Sequence, residues 1–250
     1  MKVKIAYPEM GNSVVVEALA KTNDVEPVKA NSLKEACELV RDGAAQAMVA
    51  GIDCASRDVI LASREIIGAK GKTFSSCMVM EKAGQKLILA DVATCKHPTE
   101  DQLFDIVMQT YETAKHELDE DPRIAMLSFS TNGSGGKNEV ISKILQVIER
   151  VRSANPEILI DGEMQLDAAI NSRVAKTKMP ESKVAGRANV LICPDLNSGN
   201  ILYKALEQFD GYTAAGPILQ GFNAPVSDLS RGSTAEDVVA AINVIRRLCE

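Results

Sequence analysis

The sequence predicts an α/β protein whose sheet is largely parallel, and three observations lead to this fold class. Short β-rich segments alternate with segments of helical periodicity along most of the chain. Three of the β-rich segments are each followed by a polar loop and then by a helix. The chain has 250 residues, which is enough for one large α/β domain or for two modest domains. Such alternation is typical of parallel sheets, whose ligands bind beyond the carboxyl ends of the strands.

The predicted strands are short runs rich in apolar and β-branched residues, bounded by polar or turn-forming residues. In chain order they cover residues 3–7, 47–50, 74–81, 86–90, 123–129, 158–160, 190–193 and 216–220. The third and fourth flank Ala83-Gly84 and therefore predict a β-hairpin. Residues 225–232 are predicted to be a connection to the last helix.

Helix starts are predicted from capping boxes, in which an N-cap Ser or Thr is followed three residues later by an acid or amide side chain. Three such pairs occur in the sequence: Ser32 with Glu35, Thr99 with Gln102, and Ser233 with Glu236. The first helix is expected to end near residue 41, the second near 118, and the third at the C-terminal end. A further helix is expected over about residues 57–67.

Composition and charge exclude several classes of function. Aromatic residues make up 4% of the chain and the formal net charge is −6, so neither the stacking surface nor the basic patch of a nucleic-acid-binding protein is expected. No apolar run approaches the roughly 18 residues that span a bilayer, and the first strand is too short for the apolar core of a signal peptide. Six Cys without a CxxC pair suit reduced thiols. We expect a cytoplasmic protein without nucleic-acid or membrane partners.

Two of the polar loops have both a functional and a structural interpretation. Ser130-Thr-Asn-Gly-Ser-Gly-Gly136 precedes a helix, so its N–H groups could bind a phosphate or only form a turn, and it lacks the spacing of a P-loop. Asp161, Glu163 and Asp167 could hold a divalent cation, because hard cations prefer oxygen ligands. Spacing favours the alternative, in which these carboxylates end a strand and cap a helix.

The third polar loop, Pro194-Asp-Leu-Asn-Ser-Gly-Asn200, is followed by Tyr203-Lys204 in the first turns of a helix. This arrangement puts polar groups and a cation at the carboxyl end of a predicted strand. Lys204 could meet a phosphate there, or it could face solvent as most Lys side chains do. The residue pattern leaves both interpretations open.

The C-terminal unit places Asp237 at the end of the first turn of the last helix, at the margin of its apolar face. A carboxylate half withdrawn from water becomes a stronger base, which general-base catalysis requires. The alternative, favoured by the pattern alone, is that Asp237 only complements the helix dipole. Arg231 lies just before the cap, and its planar fork of donors suits phosphate or carboxylate.

Five blocks, in this order, resemble the phosphate acetyltransferase family. They are Pro122-Arg-Ile-Ala-Met-Leu-Ser-Phe-Ser-Thr-Asn-Gly-Ser134, Asp161-Gly-Glu-Met-Gln-Leu-Asp-Ala-Ala169, the segment 188–204, Gly216-Pro-Ile-Leu-Gln-Gly221 and Pro225-Val-Ser-Asp-Leu-Ser-Arg-Gly232. The resemblance is clear from about residue 120 to the end and weaker back to Gly51. Each block alone is a weak signal, whereas five ordered blocks at family spacing are a specific one.

The resemblance implies a two-domain, three-layer α/β/α fold similar to that of the isocitrate and isopropylmalate dehydrogenases. The first domain would comprise residues 1–68 and 218–250, shortened relative to the family, and the second would be the inserted residues 69–217. The family is typically homodimeric, with its site in the cleft between the domains. The resemblance also implies acyl exchange between coenzyme A and phosphate, most simply of an acetyl group. Coenzyme A would be a substrate, and no tightly bound cofactor or metal is implied.

The resemblance assigns roles to particular residues. Asp237 would deprotonate the coenzyme A thiol, Arg231 would bind the phosphoryl or carbonyl oxygen of the acyl phosphate, and Ser230 would help to place it. The assignments to anion or substrate binding are Ser130, Thr131, Gly133, Ser134, Asn200 and Lys204.

The chain departs from the family pattern in its shortened first part and in having fewer basic residues. The family often has a Thr-rich segment and an Arg after the Gly51 loop, where this chain has Cys54-Ala-Ser and Leu61. Gln208 stands where a basic residue is common in the family. Three alternatives stay open: a propanoyl or butanoyl preference, since no acyl-pocket residue is identifiable, a non-catalytic protein that binds coenzyme A or an acyl phosphate, which would fit the shortened first domain, and a metal-dependent dehydrogenase of related fold. The last is disfavoured by the absence of a dinucleotide fingerprint.

Overall fold

The computed structural model describes residues 2–250 and confirms the α/β class. Met1, with which the predicted first domain begins, lies outside the described residues. The strands are β1 (Val3–Tyr7), β2 (Val25–Lys29), β3 (Ala47–Ala50), β4 (Ser75–Lys82), β5 (Gln85–Ala90), β6 (Arg123–Leu127), β7 (Leu159–Met164), β8 (Val190–Ile192), β9 (Thr213–Gln220) and β10 (Val226–Asp228). Within residues 2–250 they form one sheet in the order β2-β1-β3-β10-β9-β4-β5-β8-β6-β7.

Helices cover both faces of this sheet. They are α1 (Ser13–Ala20), α2 (Leu33–Arg41), α3 (Ser56–Ala62), α4 (Glu100–Glu117), α5 (Glu139–Ala154), α6 (Leu166–Ile170), α7 (Ser172–Lys178), α8 (Leu196–Asp210) and α9 (Ala235–Arg247), and a π-helical turn follows α3 at Ser63–Ile67. Alternate strand residues point to opposite faces, so Ile5 and Tyr7 join the core beneath α1, α4, α5 and α9. Ala6 joins the opposite core, beneath α2 and α3. Helices α6, α7 and α8 cover that same face farther along the sheet.

The sheet is largely parallel, as predicted, but an antiparallel group interrupts it. Strand β9 pairs antiparallel with both β4 and β10, and β4 pairs antiparallel with β5. The other neighbouring pairs are parallel. The hairpin predicted around Ala83-Gly84 is confirmed as the β4–β5 pair. Since β9 and β10 lie in the middle of the sheet, the C-terminal part of the chain joins its two halves.

Several elements differ from the sequence expectations. The prediction did not include β2, in which only Val25 is buried and Pro27 interrupts the strand pattern. It also did not include α1, whose β-branched run Val14-Val-Val resembles a strand but follows an Asn12 N-cap. The prediction of a connection over residues 225–232 is wrong at its start, because Val226–Asp228 forms β10. A three-residue strand is too short to show a periodicity.

The capping boxes have mixed outcomes. Thr99 and Gln102 form the predicted box at the start of α4. Ser32 accepts the N–H of Glu35 as expected, although the Glu35 carboxylate bonds Asn31 instead of closing the box. The predicted Ser233–Glu236 box is wrong by one residue, as described with the site below.

A buried ion pair ties α9 to α4. The Glu117 side chain is fully buried, and its carboxylate accepts a hydrogen bond of 2.8 Å from Nε of Arg247. Lys86 of β5 adds a second cation, with its Nζ 3.6 Å from the Glu117 carboxylate. A charge removed from water in this way is stable only while it is paired. None of the helices described between residues 2 and 250 has the length and apolar character needed to cross a bilayer.

Candidate active site

Two adjoining cavities lie at the carboxyl ends of β3 and β10. The larger, of about 430 Å³, is lined by the Gly51 loop, the first turns of α8 and the segment from Asp228 to Arg231. The smaller, of about 160 Å³, is lined by Lys204 of α8, by Asp237 of α9 and by residues between them. Ser230 and Tyr203 line both cavities, so these two residues form the wall that the cavities share.

The pairing of β3 with β10 builds the floor of the larger cavity. The two strands are parallel, and Ala50 lies opposite Asp228, so both strands end at the same edge of the sheet. Gly51 follows with a φ of +110°, which favours glycine. A Cβ on Gly51 would lie 2.5 Å from Oδ1 of Asp228 and 2.6 Å from the Leu229 carbonyl oxygen. Only glycine therefore allows the Gly51 loop and the Asp228 segment to approach this closely.

Glu9 holds the loop that follows Gly51. Its two carboxylate oxygens accept hydrogen bonds from the N–H groups of Ile52, at 3.0 Å, and Asp53, at 2.9 Å. Asn12 adds a hydrogen bond of 2.9 Å from its side-chain amide to the Asp53 carboxylate. The loop is thus fixed from the end of β1, the strand that neighbours β3.

Asp237 belongs to the cap of α9 as well as to the smaller cavity. Its Oδ2 accepts hydrogen bonds of 2.8 Å from both the backbone N–H and the hydroxyl of Thr234. Thr234 in turn accepts the N–H of Asp237 at 3.2 Å, so the N-cap is Thr234 and the box closes on Asp237. This corrects the predicted Ser233–Glu236 box, and Glu236 instead pairs with Lys21. The box fixes one oxygen of Asp237 and leaves Oδ1 without a hydrogen bond from any residue between 2 and 250.

The other predicted site residues of this region lie on the same walls. Arg231 lines the larger cavity and is exposed, and Ser230, exposed on the shared wall, accepts the Gly232 N–H at 3.3 Å. Asn200 lines the larger cavity, where its amide donates to the Val92 carbonyl at 3.1 Å. The structure thus brings together five residues singled out from the sequence: Ser230, Arg231, Asp237, Asn200 and Lys204.

Residues 12–245 match the model of the phosphate acetyl/butaryl transferase family. The chain belongs to this family. A phosphate acetyltransferase of Clostridium acetobutylicum is 42% identical over 217 residues, which cover 83% of this chain and 65% of the relative. The chain thus spans less than two thirds of the length of that relative.

Solved structures agree with this membership. A phosphotransacetylase from Streptococcus pyogenes superimposes with a TM-score of 0.88 and 32% identity, covering 99% of this chain and 93% of that one. A 4-hydroxythreonine-4-phosphate dehydrogenase from Burkholderia phymatum superimposes with a TM-score of 0.58 at 11% identity, covering 100% of this chain and 98% of that one. The second similarity concerns the fold alone, and it agrees with the dehydrogenase-like architecture expected from the family resemblance.

The Ser130–Ser134 loop lies apart from both cavities. Its N–H and hydroxyl groups surround a carboxylate of the protein itself, because Oε1 of buried Glu163 accepts from the Ser130 hydroxyl at 2.7 Å and from the Gly133 N–H at 2.8 Å. Thr131 and Ser134 bond within the loop or to the neighbouring β7–α6 connection. The substrate-binding roles of these four residues therefore stay predictions without a cavity contact.

The remaining acidic residues of that region are paired with cations. Asp161 lies 3.3 Å from Arg152, and Asp167 lies 3.0 Å from Lys178 while it also accepts the Ala168 N–H. The hydrogen bond from Lys178 holds the pKa of Asp167 below its usual value. The predicted strand end and helix cap are displaced, because Asp161 and Glu163 lie inside β7 and the N-cap of α6 is Gln165.

One residue of the larger cavity was missed by the sequence reasoning. Asp228 is 1% exposed, and its Oδ1 has no hydrogen-bond partner among residues 2–250. Burial raises its pKa from 3.8 to about 6, the charge of Glu9 acts in the same direction, and the Ser56 hydroxyl opposes it. A carboxylate at the end of a predicted strand, in Val226-Ser-Asp228, would have been the signal, but β10 itself was not predicted.

Cys54 also lines this cavity, but as a thiol. Burial is the main cause that raises its pKa to about 12, and Glu9 adds to the effect. A nucleophilic Cys requires the thiolate, which this environment disfavours. The cavity therefore offers carboxyl, guanidinium, hydroxyl and amide groups for chemistry on a bound substrate.

Proposed function

We propose that the protein catalyses the reversible transfer of an acyl group between coenzyme A and inorganic phosphate, with acetyl as the acyl group. The observation that carries the proposal is the meeting of Arg231, Ser230 and Asp237 around the wall between two adjoining cavities. The reaction needs such a pair of compartments, because an acyl carbon must be approached by a thiol on one side and by a phosphate oxygen on the other. Family membership supports the same reaction class.

The two cavities differ in the groups that they offer. Arg231 and the polar first turns of α8 favour an anion in the larger cavity, since helix N-termini and guanidinium groups both attract phosphate. The smaller cavity contains the Asp237 carboxylate, which can accept a proton. We therefore assign the phosphoryl group to the larger cavity and the thiol of coenzyme A to the smaller one.

The proposed mechanism begins with the thiol, whose pKa is about 8.5 and which must become a thiolate to attack a carbonyl. Oδ1 of Asp237 accepts the thiol proton, while Thr234 holds Oδ2 in place. The sulfur then bonds to the acyl carbon, and the bond from that carbon to the phosphate oxygen breaks. Arg231 and the Ser230 hydroxyl stabilise the negative charge that develops on the carbonyl and phosphate oxygens.

The proposal also includes a cytoplasmic location and a dimeric assembly. All six cysteines are free, which suits a reducing cytoplasm. We extend the proposal to a homodimer, which the family resemblance implies. Sedimentation of the purified protein would reveal a mass of twice 26.8 kDa if the dimer forms.

A panel of acyl phosphates tests the activity. Purified protein is mixed with coenzyme A and acetyl, propanoyl or butanoyl phosphate, and thioester formation is followed without added metal. We expect the highest kcat/KM with acetyl phosphate. Faster turnover of the longer substrates would reassign the acyl group, and absence of turnover with all three would favour a non-catalytic protein that binds coenzyme A.

Two substitutions test the assigned roles. Asp237→Asn and Arg231→Ala should each lower kcat by a factor of about 10² or more, as expected for loss of a general base or of oxyanion stabilisation. Glu236→Gln is the matched control, because this carboxylate lies in the same helical turn but is exposed and pairs with Lys21. A near-normal kcat in Asp237→Asn would reject it as the base.

A further inference from the structure

Asp228 has a position that the proposed mechanism does not explain. It is almost fully buried, it lines the larger cavity, and its Oδ1 has no partner in the described chain. A buried polar atom without a partner is costly, so such atoms normally receive a hydrogen bond from the protein, from water or from a ligand. Because Asp228 lines the larger cavity, a substrate bound there is a candidate for the partner that the protein does not supply.

The surroundings of Asp228 leave it sensitive to the ligand. Glu9, just after β1, adds a negative charge, the loop after β3 contributes the protonated Cys54, and the start of α3 contributes the Ser56 hydroxyl. Arg231 is the only cation on the cavity wall within the described residues, and α8 contributes the uncharged Asn197 and Asn200. An ionised Asp228 therefore repels an anion that lacks a proton and accepts a hydrogen bond from one that carries a P–OH group.

We infer that Asp228 is a second catalytic carboxyl, which exchanges a proton with the phosphate oxygen that bonds to the acyl carbon. The inference rests on the proposed acyl transfer and adds the phosphate half of its proton transfers. Asp237 would handle the proton of the thiol and Asp228 the proton of the phosphate, on the two sides of Ser230.

The proton balance can be written for both directions. When acyl phosphate forms, the P–OH oxygen of hydrogen phosphate bonds to the thioester carbon and its proton moves to Asp228. The C–S bond breaks, and the departing thiolate takes a proton from Asp237. In the opposite direction Asp228 returns its proton to the departing oxygen, so that phosphate leaves as hydrogen phosphate and not as the strongly basic trianion. The two carboxyls regain their starting states by exchange with water.

Anion selectivity tests this inference without turnover. Dissociation constants of inorganic phosphate and sulfate are measured by calorimetry at pH 8, where Asp228 is ionised. Sulfate has no proton to donate, so we expect the wild-type protein to bind phosphate at least about tenfold more tightly, as fits a hydrogen bond to a charged group. Asp228→Asn should lose this preference, since the amide can donate to either anion. Asp53→Asn, an exposed carboxylate of the neighbouring loop, is the control and should retain it.

Kinetics test the proton transfer itself. In the direction that consumes phosphate, the kcat/KM ratio of wild type to Asp228→Asn should rise as the pH increases through about 6, where Asp228 ionises. In the opposite direction the same ratio should fall over that range. Ser56→Ala keeps the carboxyl, removes the group that lowers its pKa, and should move both transitions to higher pH.

The outcomes separate the inference from the function on which it rests. Equal phosphate selectivity in wild type and Asp228→Asn, or pH profiles that do not respond to Asp228→Asn and Ser56→Ala, would overturn the inference while the acyl transfer could still be observed. Selective phosphate binding that depends on Asp228 in a protein without turnover would refute the acyl transfer and reduce Asp228 to a phosphate-binding residue.

Discussion

The unfolding free energy of Asp228→Asn, relative to that of wild type, should be higher at neutral pH than at acidic pH. The pKa of Asp228 is about 6 in the folded protein, and the ordinary value of an Asp, which applies to the unfolded chain, is 3.8. A difference of about 2 pKa units corresponds to about 3 kcal/mol of unfolding free energy. Because the folded-state pKa is the higher one, the neutral carboxyl is favoured by folding. Its full contribution is present below pH 3.8, is lost as the pH rises to about 6, and stays lost above that.

The assay is urea unfolding of both proteins at several pH values between 4 and 8. The amide cannot ionise, so the unfolding free energy of Asp228→Asn relative to wild type should increase by up to about 3 kcal/mol as the pH rises to about 6, and then remain constant up to pH 8. Asp53→Asn should show no such trend, because this carboxylate is exposed. A stability difference between wild type and Asp228→Asn that does not change with pH would refute the reasoning, since it would mean that Asp228 titrates alike in both states.

Three further substitutions test the supports of the fold and the site. Glu117→Gln leaves the Arg247 cation without its buried partner and should lower the unfolding free energy by about 3 kcal/mol, measured in urea; an unchanged midpoint would contradict the importance of this pair. Gly51→Ala places a Cβ 2.5 Å from the Asp228 carboxylate at a positive φ and should lower the unfolding free energy, measured in urea, by at least about 2 kcal/mol. Wild-type stability of this variant would mean that the Gly51 loop can move away from Asp228 without cost. Thr234→Ala removes the N-cap of α9 and should cost about 1 kcal/mol, together with a loss of kcat because Asp237 is no longer held; full activity would show that the cap does not orient the carboxylate.

The parts of the fold that follow from local patterns could be predicted from the sequence. The Thr99–Gln102 box, the hairpin at Ala83-Gly84 and the β-rich runs each depend on neighbouring residues and were confirmed. Strand β10 could not be predicted, because three residues form a strand there only by insertion between β3 and β9. The last capping box was displaced by one residue because Ser233 and Thr234 are both suitable caps, and the structure uses Thr234.

Some residues of the site could likewise be predicted from the sequence, and others could not. The family resemblance identified Ser230, Arg231 and Asp237, which the structure places around two adjoining cavities. The glycine-rich loop at Ser130 was a reasonable candidate for anion binding, but a carboxylate from Glu163, thirty-three residues later, occupies its donors. Long-range pairing of this kind is not visible in a local pattern. The burial of Asp228 likewise depends on strands from both ends of the chain.

The central position of β9 and β10 has a consequence for the order in which the protein can be completed. Until residues 213–228 emerge from the ribosome, β3 and β4 each present an open edge, because the strands that separate them have not been made. Unpaired edges template wrong pairing, and contacts between residues as distant as Ser75 and Gln220 form slowly. The floor of the larger cavity exists only after this late insertion. The pairing of β9 and β10 with β3 and β4 thus joins the two half-sheets and forms the floor of the site in the same step.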